Sequence, residues 1–446
     1  MRHVVILAST ASIGLVSVFA VDLIDLYYLS MLDDQAIVAA LAFASAIIFF
    51  NMSFSIGLSI AMSATVAKAI GAKQDLLARG LAMNNFIISV GFTAVLGWVT
   101  WYFRLDLLKM VGAEGASLDY ANRYLGILLP SLPFLSLAMS GGGLVRAMGA
   151  PKLSMYAMLS GSLVNLILDP ILIFGFDMGI EGAAWASFAA RIAIGGSALY
   201  IIYVMHDFSV TFSTKIFKSQ LPIILAIALP AMATQLASPI ANAFMTWEMA
   251  KYSESYMAGW SLVGRLSPMV FGVLFALSGA VGPIYGQNFG ARNFERVRRT
   301  LTDSMLFVLI YSVFASIVFY LMLDYIIAAF GVVGDAESFM QFVGVWIGPV
   351  FGFYSLLFVA NAAFNNLGYP LLATAFNFGK ATLGTIPFVL YGSYIMGADG
   401  IFAGNGVGNI IFGLAALAVC FYVINKLANL NDGKGPEPGF RARNKK

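Results

Sequence analysis

Cysteine, histidine and charge are scarce in this 446-residue chain. The single cysteine, Cys420, excludes a disulfide within the chain and any cysteine zinc cluster. Two histidines, His3 and His206, leave no histidine metal site and no Ser–His nucleophile. Asp, Glu, Lys and Arg make up 11% of the residues, against about a quarter in a soluble domain. A soluble enzyme of two or three domains is thereby excluded. The expectation is a protein with no cofactor, no catalytic activity and no nucleic-acid partner. What abounds instead is apolar surface: 60% of residues are hydrophobic, with 37 Phe, 44 Gly and 21 Met. That composition suits lipid-facing helices in close mutual contact.

A helix needs about 20 mostly apolar residues to cross the hydrocarbon core. Twelve such runs lie near 4–30, 36–67, 80–103, 118–145, 152–176, 180–205, 222–248, 256–285, 300–323, 336–366, 369–395 and 400–426. The charges check this count. With the amino terminus inside, 18 of the 25 basic residues fall on the cytoplasmic side and four (Arg104, Lys109, Arg123, Lys251) on the other. Thirteen of the 22 acids, from Asp33 and Asp34 to Asp399, lie on that outer face. This is the positive-inside bias, which a missed or spurious span would scramble. The expected fold is all-α and integral to the cytoplasmic (inner) membrane, multi-pass, with both termini cytoplasmic. Residues 429–446, polar and rich in Gly and Pro, are expected to form a disordered cytoplasmic tail.

The chain reads as a duplication. Gly71-Ala72-Lys73 follows the second span and Gly290-Ala291-Arg292 the eighth; Gly149-Ala150-Pro151 answers Gly368-Tyr369-Pro370; both offsets are 219. Gly179-Ile180-Glu181-Gly182 answers Gly397-Ala398-Asp399-Gly400 at 218. Each half holds six spans, so both enter the membrane from the same side as parallel repeats around a central cleft. The expected parts are a six-helix lobe over 1–205, a cytoplasmic linker over 206–221 and a second six-helix lobe over 222–428.

Six charged residues fall well inside the spans: Asp22, Asp25, Asp169, Arg191, Arg265 and Lys380. The offset carries Asp25 onto Phe244, Asp169 onto Phe388 and Asn165 onto Gly384, so the buried carboxylates belong to one lobe only. Counted from the outer ends of their spans, Asp25, Asp169 and Ser187 share nearly one depth. Asp22 precedes Asp25 by three and Asn165 precedes Asp169 by four, one helical turn each. Pro170 weakens the local hydrogen-bond ladder beside Asp169. Hard oxygens of this kind suit a proton or a small cation; Na⁺ is a candidate at Asp25, Asn165, Asp169 and Ser187. Intramembrane ionisable groups are functional candidates by default. The bland alternative is a structural pairing of the acids with Arg191. Arg265 and Lys380 are expected to be structural, through snorkelling or helix-to-helix hydrogen bonds.

The segment Arg146-Ala-Met-Gly-Ala-Pro, then Asn165-Leu-Ile-Leu-Asp169-Pro170, then Gly179-Ile-Glu-Gly-Ala-Ala-Trp-Ala-Ser187, resembles the multidrug and toxic compound extrusion (MATE) family. Gly286-Gln287-Asn288-Phe289-Gly290-Ala291-Arg292 is similar to that family's loop after the eighth helix. The resemblance implies an antiporter driven by H⁺ or Na⁺. Asp25 matches the family's first-helix carboxylate, and Asn165 and Asp169 match its fifth-helix pair. Ser187 stands where many members carry Thr, and Ala183, one turn earlier, offers a backbone carbonyl. The norfloxacin-exporter branch has an acid in helix 7, where this chain shows Gln235, Ser238 and Asn242, so the resemblance points to the DNA-damage-inducible-F-like branch. Helix 1 also lacks the proline at which some members bend. Asp22, Arg191, Gln235, Ser238 and Asn242 are candidate cavity or substrate-lining residues. The expected function is export of cationic or amphiphilic small molecules by a monomer embedded in lipid. The rival readings are a flippase for a lipid-linked saccharide, disfavoured because the first lobe's polar spots are acidic, and a membrane enzyme, for which no nucleophile constellation exists.

Overall fold

The computed structural model describes residues 2–32, 35–208 and 213–431. Asp33, Asp34 and the tail beyond Asn431 lie outside the described residues. The described chain is almost wholly helical, as its unbroken apolar runs require, since backbone amides in hydrocarbon must be satisfied within the segment. The first half comprises α1 (Arg2–Ser30), α2 (Gln35–Gly71), α3 (Asp75–Tyr102), α4 (Arg104–Met110), α5 (Gly115–Leu128), α6 (Leu132–Ala147), α7 (Pro151–Pro170) and α8 (Gly179–Tyr200). The second comprises α9 (Thr214–Met249), α10 (Glu254–Gly290), α11 (Phe294–Ala329), α12 (Asp335–Leu367), α13 (Pro370–Thr382), α14 (Ile386–Met396) and α15 (Ala398–Asn431).

Three departures from the sequence expectation stand out. Among the described residues, eleven helical segments are long and apolar enough to cross a membrane. The twelfth crossing, expected as one run over 369–395, is two short helices, α13 and α14, interrupted at Leu383–Thr385. Helix α9 begins at Thr214, inside the stretch expected to be linker, and α15 runs to Asn431. The short α4 lies at the outer end of α3, between the runs expected over 80–103 and 118–145.

The repeat has a backbone cause. Lys73 and Arg292 both adopt positive φ (57° and 56°), as do Gly149 and Gly368 (84° and 91°) and Gly179 and Gly397 (54° and 65°). Gly112 with Gly331 and Gly115 with Gly334 add two more such pairs at an offset of 219. Positive-φ positions thus mark corresponding helix boundaries in both halves, and glycine meets that demand without a Cβ clash.

Two six-helix bundles result. The lobes meet through α1 and α2 of the first against α9 and α10 of the second. Closest approaches run from mid-span, Gly57 on Met232 and Gly272 on Val16, to the helix ends that carry the basic residues. There Gly71 meets Gln287, Gly286 meets Ala67 and Gly290 meets the Lys68 carbonyl. Gln287 Nε2 also donates to the Ala147 carbonyl at 2.8 Å, and Asn84 Nδ2 to Gln220 Oε1 at 2.7 Å. The cleft is therefore shut at the basic face. Among the described residues, no glycine contact joins the lobes in the acidic-face half.

Candidate functional site

Helices α1 and α7 lie against each other because Gly14 admits Met158, and because Ser17 Oγ and Ser162 Oγ are 3.2 Å apart. Gly161 presses on Ile194 and the Ala190 carbonyl, drawing α8 onto α7. Ser160 Oγ reaches Ser197 Oγ at 2.9 Å across the same seam. Small residues with hydroxyl cross-links are the usual means by which membrane helices associate.

This packing brings Asp25, Asn165 and Asp169 together. Asn165 Nδ2 donates to both Asp25 oxygens at 3.0 Å and to Asp169 Oδ2 at 2.6 Å. The two carboxyl groups also face each other at hydrogen-bonding reach. Asp169 is fully buried, Asn165 is buried and Asp25 is half-buried. Asp169 Oδ1 has no hydrogen-bond partner among the described residues. Beyond Asp169, Pro170 ends the regular helix and a π turn spans Ile171–Gly175. One amide thus joins the two carboxyl groups, its hydrogens directed at both.

The neighbouring candidates separate. Ser187 is half-buried on α8, near Tyr124 of α5, and makes no hydrogen bond to either aspartate. Ala183 is buried one turn earlier, and no polar contact to the aspartates is seen there. Arg191 Nη1 donates to Ser131 Oγ at 2.6 Å and to the Leu128 carbonyl at 3.2 Å, fastening α8 to the 3₁₀ turn Leu129–Ser131. It lies within electrostatic reach of Asp22 and Tyr124. Arg191 thus bonds to the α5–α6 corner while its attraction to Asp22 acts at longer range. Asp22 is exposed one turn from Asp25, and interacts with both Asp25 and Arg191. Tyr124 was not anticipated from sequence. Nine residues from the start of α5, it lies about 13 Å deep at 1.5 Å per residue, close to the depth of Asp22, eight residues from the end of α1. The same count applied to aromatic hydroxyls would have found it.

In the second lobe the positions at the same offset carry no carboxylate: Phe244, Gly384 and Phe388 stand there. Gly384, opposite Asn165 in the repeat, abuts Phe412, and the Phe388 carbonyl abuts Gly404. Gly392 likewise packs on Gly400 and Gly384 on Gly408, which draws α14 and the break before it onto α15. Of the α9 candidates, Ser238 Oγ lies 3.0 Å from Tyr354 Oη, Gln235 is half-buried and Asn242 is exposed. Arg265 is exposed on α10, whereas Lys380 is buried. Among the described residues, no group of three or more His, Cys, Asp or Glu side chains is placed to hold a metal ion.

A family model described as MatE matches residues 11–171 and again residues 230–391. This chain belongs to the MATE family. The two matches begin 219 residues apart, the spacing of most of the paired positive-φ positions. Among curated proteins, a FAD transporter of Shewanella oneidensis is 24% identical over 421 residues, covering 93% of this MATE chain and 92% of that protein. The multidrug export protein MepA of Staphylococcus aureus is 25% identical over 273 residues, 60% of each chain. The Vibrio cholerae MATE transporter VcmN in its bent form has 24% sequence identity and a TM-score of 0.89, covering 96% of this chain and 98% of that one. That likeness shows a shared fold: two six-helix bundles in the membrane.

Proposed function

We propose that this MATE protein is a proton-coupled antiporter that exports organic cations or amphiphilic drugs by alternating access. The observation that supports it most is the Asn165 amide donating at once to Asp25 and Asp169. A pair of facing carboxyl groups holds one proton readily and, once deprotonated, presents negative charge to a cationic cargo. Proton and cargo then compete for one place, which is the condition for exchange. Asp22, exposed beside the pair, extends the negative surface toward the cleft. The basic face, where the lobes are shut, is the cytoplasmic side of the inner membrane by the positive-inside bias, and both termini lie there. The arrangement is then outward-facing, poised to take a proton from outside and release cargo. Relatives named for FAD transport and multidrug export agree with small-molecule traffic without chemical alteration of the cargo.

Na⁺ is the less favoured coupling ion. It requires acceptor oxygens turned inward, whereas Asn165 directs N–H groups at both carboxylates. The test is efflux of ethidium from proteoliposomes under separately imposed pH and Na⁺ gradients. A pH gradient alone is expected to drive it. Efflux only under a Na⁺ gradient transfers the site to that ion, and efflux under neither removes the antiport reading.

A further inference from the structure

Lys380 sits in the last turn of α13, just before the break that separates it from α14, and is 7% exposed. Its ammonium donates to Asn405 Oδ1 at 2.9 Å and stands 4.8 Å from the centre of the Tyr354 ring. Tyr354 in turn meets Ser238 through its hydroxyl and packs against Phe358, ring centres 4.6 Å apart. At the repeat offset of 219, Lys380 falls opposite Gly161, one turn from Asn165. The second lobe therefore places a cation near where the first places its acids.

An ammonium has three N–H donors, and here one of them is used, on a neutral oxygen. No carboxylate pairs with Lys380 among the described residues; the ion pairs found are Arg123 with Asp119 and Glu181, and Lys251 with Glu248. A buried charge is ordinarily paired and fully hydrogen-bonded, because desolvation is otherwise uncompensated. Nor does the lobe depend on Lys380 to hold its helices. Thr374 braces α13 to α9 through Thr234 at 3.0 Å, Asn377 joins α12 through Asn361 at 2.9 Å, and Asn409 ties α15 to the Val350 carbonyl at 3.2 Å. Interrupted membrane helices are where transporter sites are commonly built, since backbone groups are released there. The Lys380 carbonyl, at this interruption, accepts from Thr385 Oγ1 at 2.9 Å.

We propose that Lys380, with Asn405, Tyr354 and Ser238, is an oxyanion-recognising subsite that takes the carboxylate or phosphate of an amphiphilic cargo. It rests on the transport reading above and adds to it a substrate class: molecules bearing an oxyanion, alone or together with a positive group. The first lobe offers negative charge and the second offers positive, so a zwitterion spans both. The two unused hydrogens of the ammonium face the oxyanion, and the Tyr354–Ser238 pair contributes a hydroxyl donor.

The test uses the full chain purified in lipid-free detergent, with riboflavin 5′-phosphate and riboflavin as probes that share a fluorescent ring and differ by the phosphate. Wild type is expected to bind the phosphate form about tenfold or more tightly, the size of one charge-assisted hydrogen bond. Lys380→Gln is expected to abolish that preference and Lys380→Arg to keep it. Asn405→Asp places a carboxylate beside the ammonium, so it is expected to abolish the preference while the melting temperature holds or rises. A purely structural lysine predicts the same thermal result with the preference intact, which overturns the proposal. Equal affinities in wild type overturn it as well. Should Lys380→Gln fail to fold, Asn405→Asp decides alone. Competition by phosphatidylglycerol, unmatched by phosphatidylcholine, assigns the subsite to a lipid headgroup and rejects the cargo reading. None of these titrations uses an ion gradient, so their failure is distinct from a failure of ethidium efflux.

Discussion

At the scale of the residue, the first lobe turns on one amide between two carboxyl groups. Asp169→Asn keeps the shape and a donor but removes the titrating oxygen. It is expected to abolish gradient-driven ethidium efflux while the melting temperature stays within about 4 °C of wild type, the equivalent of about 1 kcal/mol. Undiminished efflux from sealed proteoliposomes would sink the mechanism. Asn165→Leu has the opposite signature. It leaves Asp25 and Asp169 facing each other with no donor between them, at an expected cost of about 1–3 kcal/mol, read as a lowered melting temperature in detergent. The acids and Asn165 were legible in the sequence, because depth along a span is simple arithmetic and charge is rare there. Tyr124 and the Ser131 anchor of Arg191 were not. Both are contacts between distant spans that leave no period in the sequence. Lys380 was legible as a charge and read as structural; its lack of a carboxylate partner is visible only in three dimensions.

At the scale of the element, the telling contrast is between α7 and its counterpart. In the first lobe the helix continues to Pro170 and relaxes into a π turn; in the second it breaks after Thr382. Hydropathy alone could not foresee this, since Leu383 and Gly384 prolong the apolar run and a bare count sees one span. Glycines hold the broken pair in place. Gly404 on α15 lies against the Phe388 carbonyl, whereas its counterpart at the same offset, Trp185, is exposed. Gly404→Val must therefore push α14 from α15, at an expected cost of about 1–3 kcal/mol. Gly196→Val is the control, because nothing lies within 4 Å of the Cβ it would add. Equal melting temperatures for the two variants would remove the packing argument. The order of the spans, by contrast, was readable from apolar length and sided charge, the run over 369–395 excepted.

At the scale of the whole molecule, the lobes are latched along the basic half, through Gly71, Gly286 and Gly290. Exchange by rocking requires this latch to open. In a Cys420→Ala background, Ala67→Cys with Gly286→Cys places two thiols where the side chain of Ala67 already meets the backbone of α10. Oxidation is expected to arrest ethidium efflux, and dithiothreitol to restore it. Efflux that continues in the cross-linked protein would mean that α2 and α10 never part during the cycle. The duplicated plan was legible from three landmarks at one offset. The structure supplies the reason for those landmarks and two further glycine pairs that the sequence comparison passed over.

The interruption between α13 and α14 bears on how this protein is handled at the bench. A tally of uninterrupted segments gives eleven, an odd number, which strands the two chain ends on opposite sides of the bilayer. Counting the split pair as a single traverse restores parity and returns the carboxyl end to the compartment of α1. A fluorescent reporter joined after Asn431 and another joined ahead of α1 should then respond alike to an impermeant quencher.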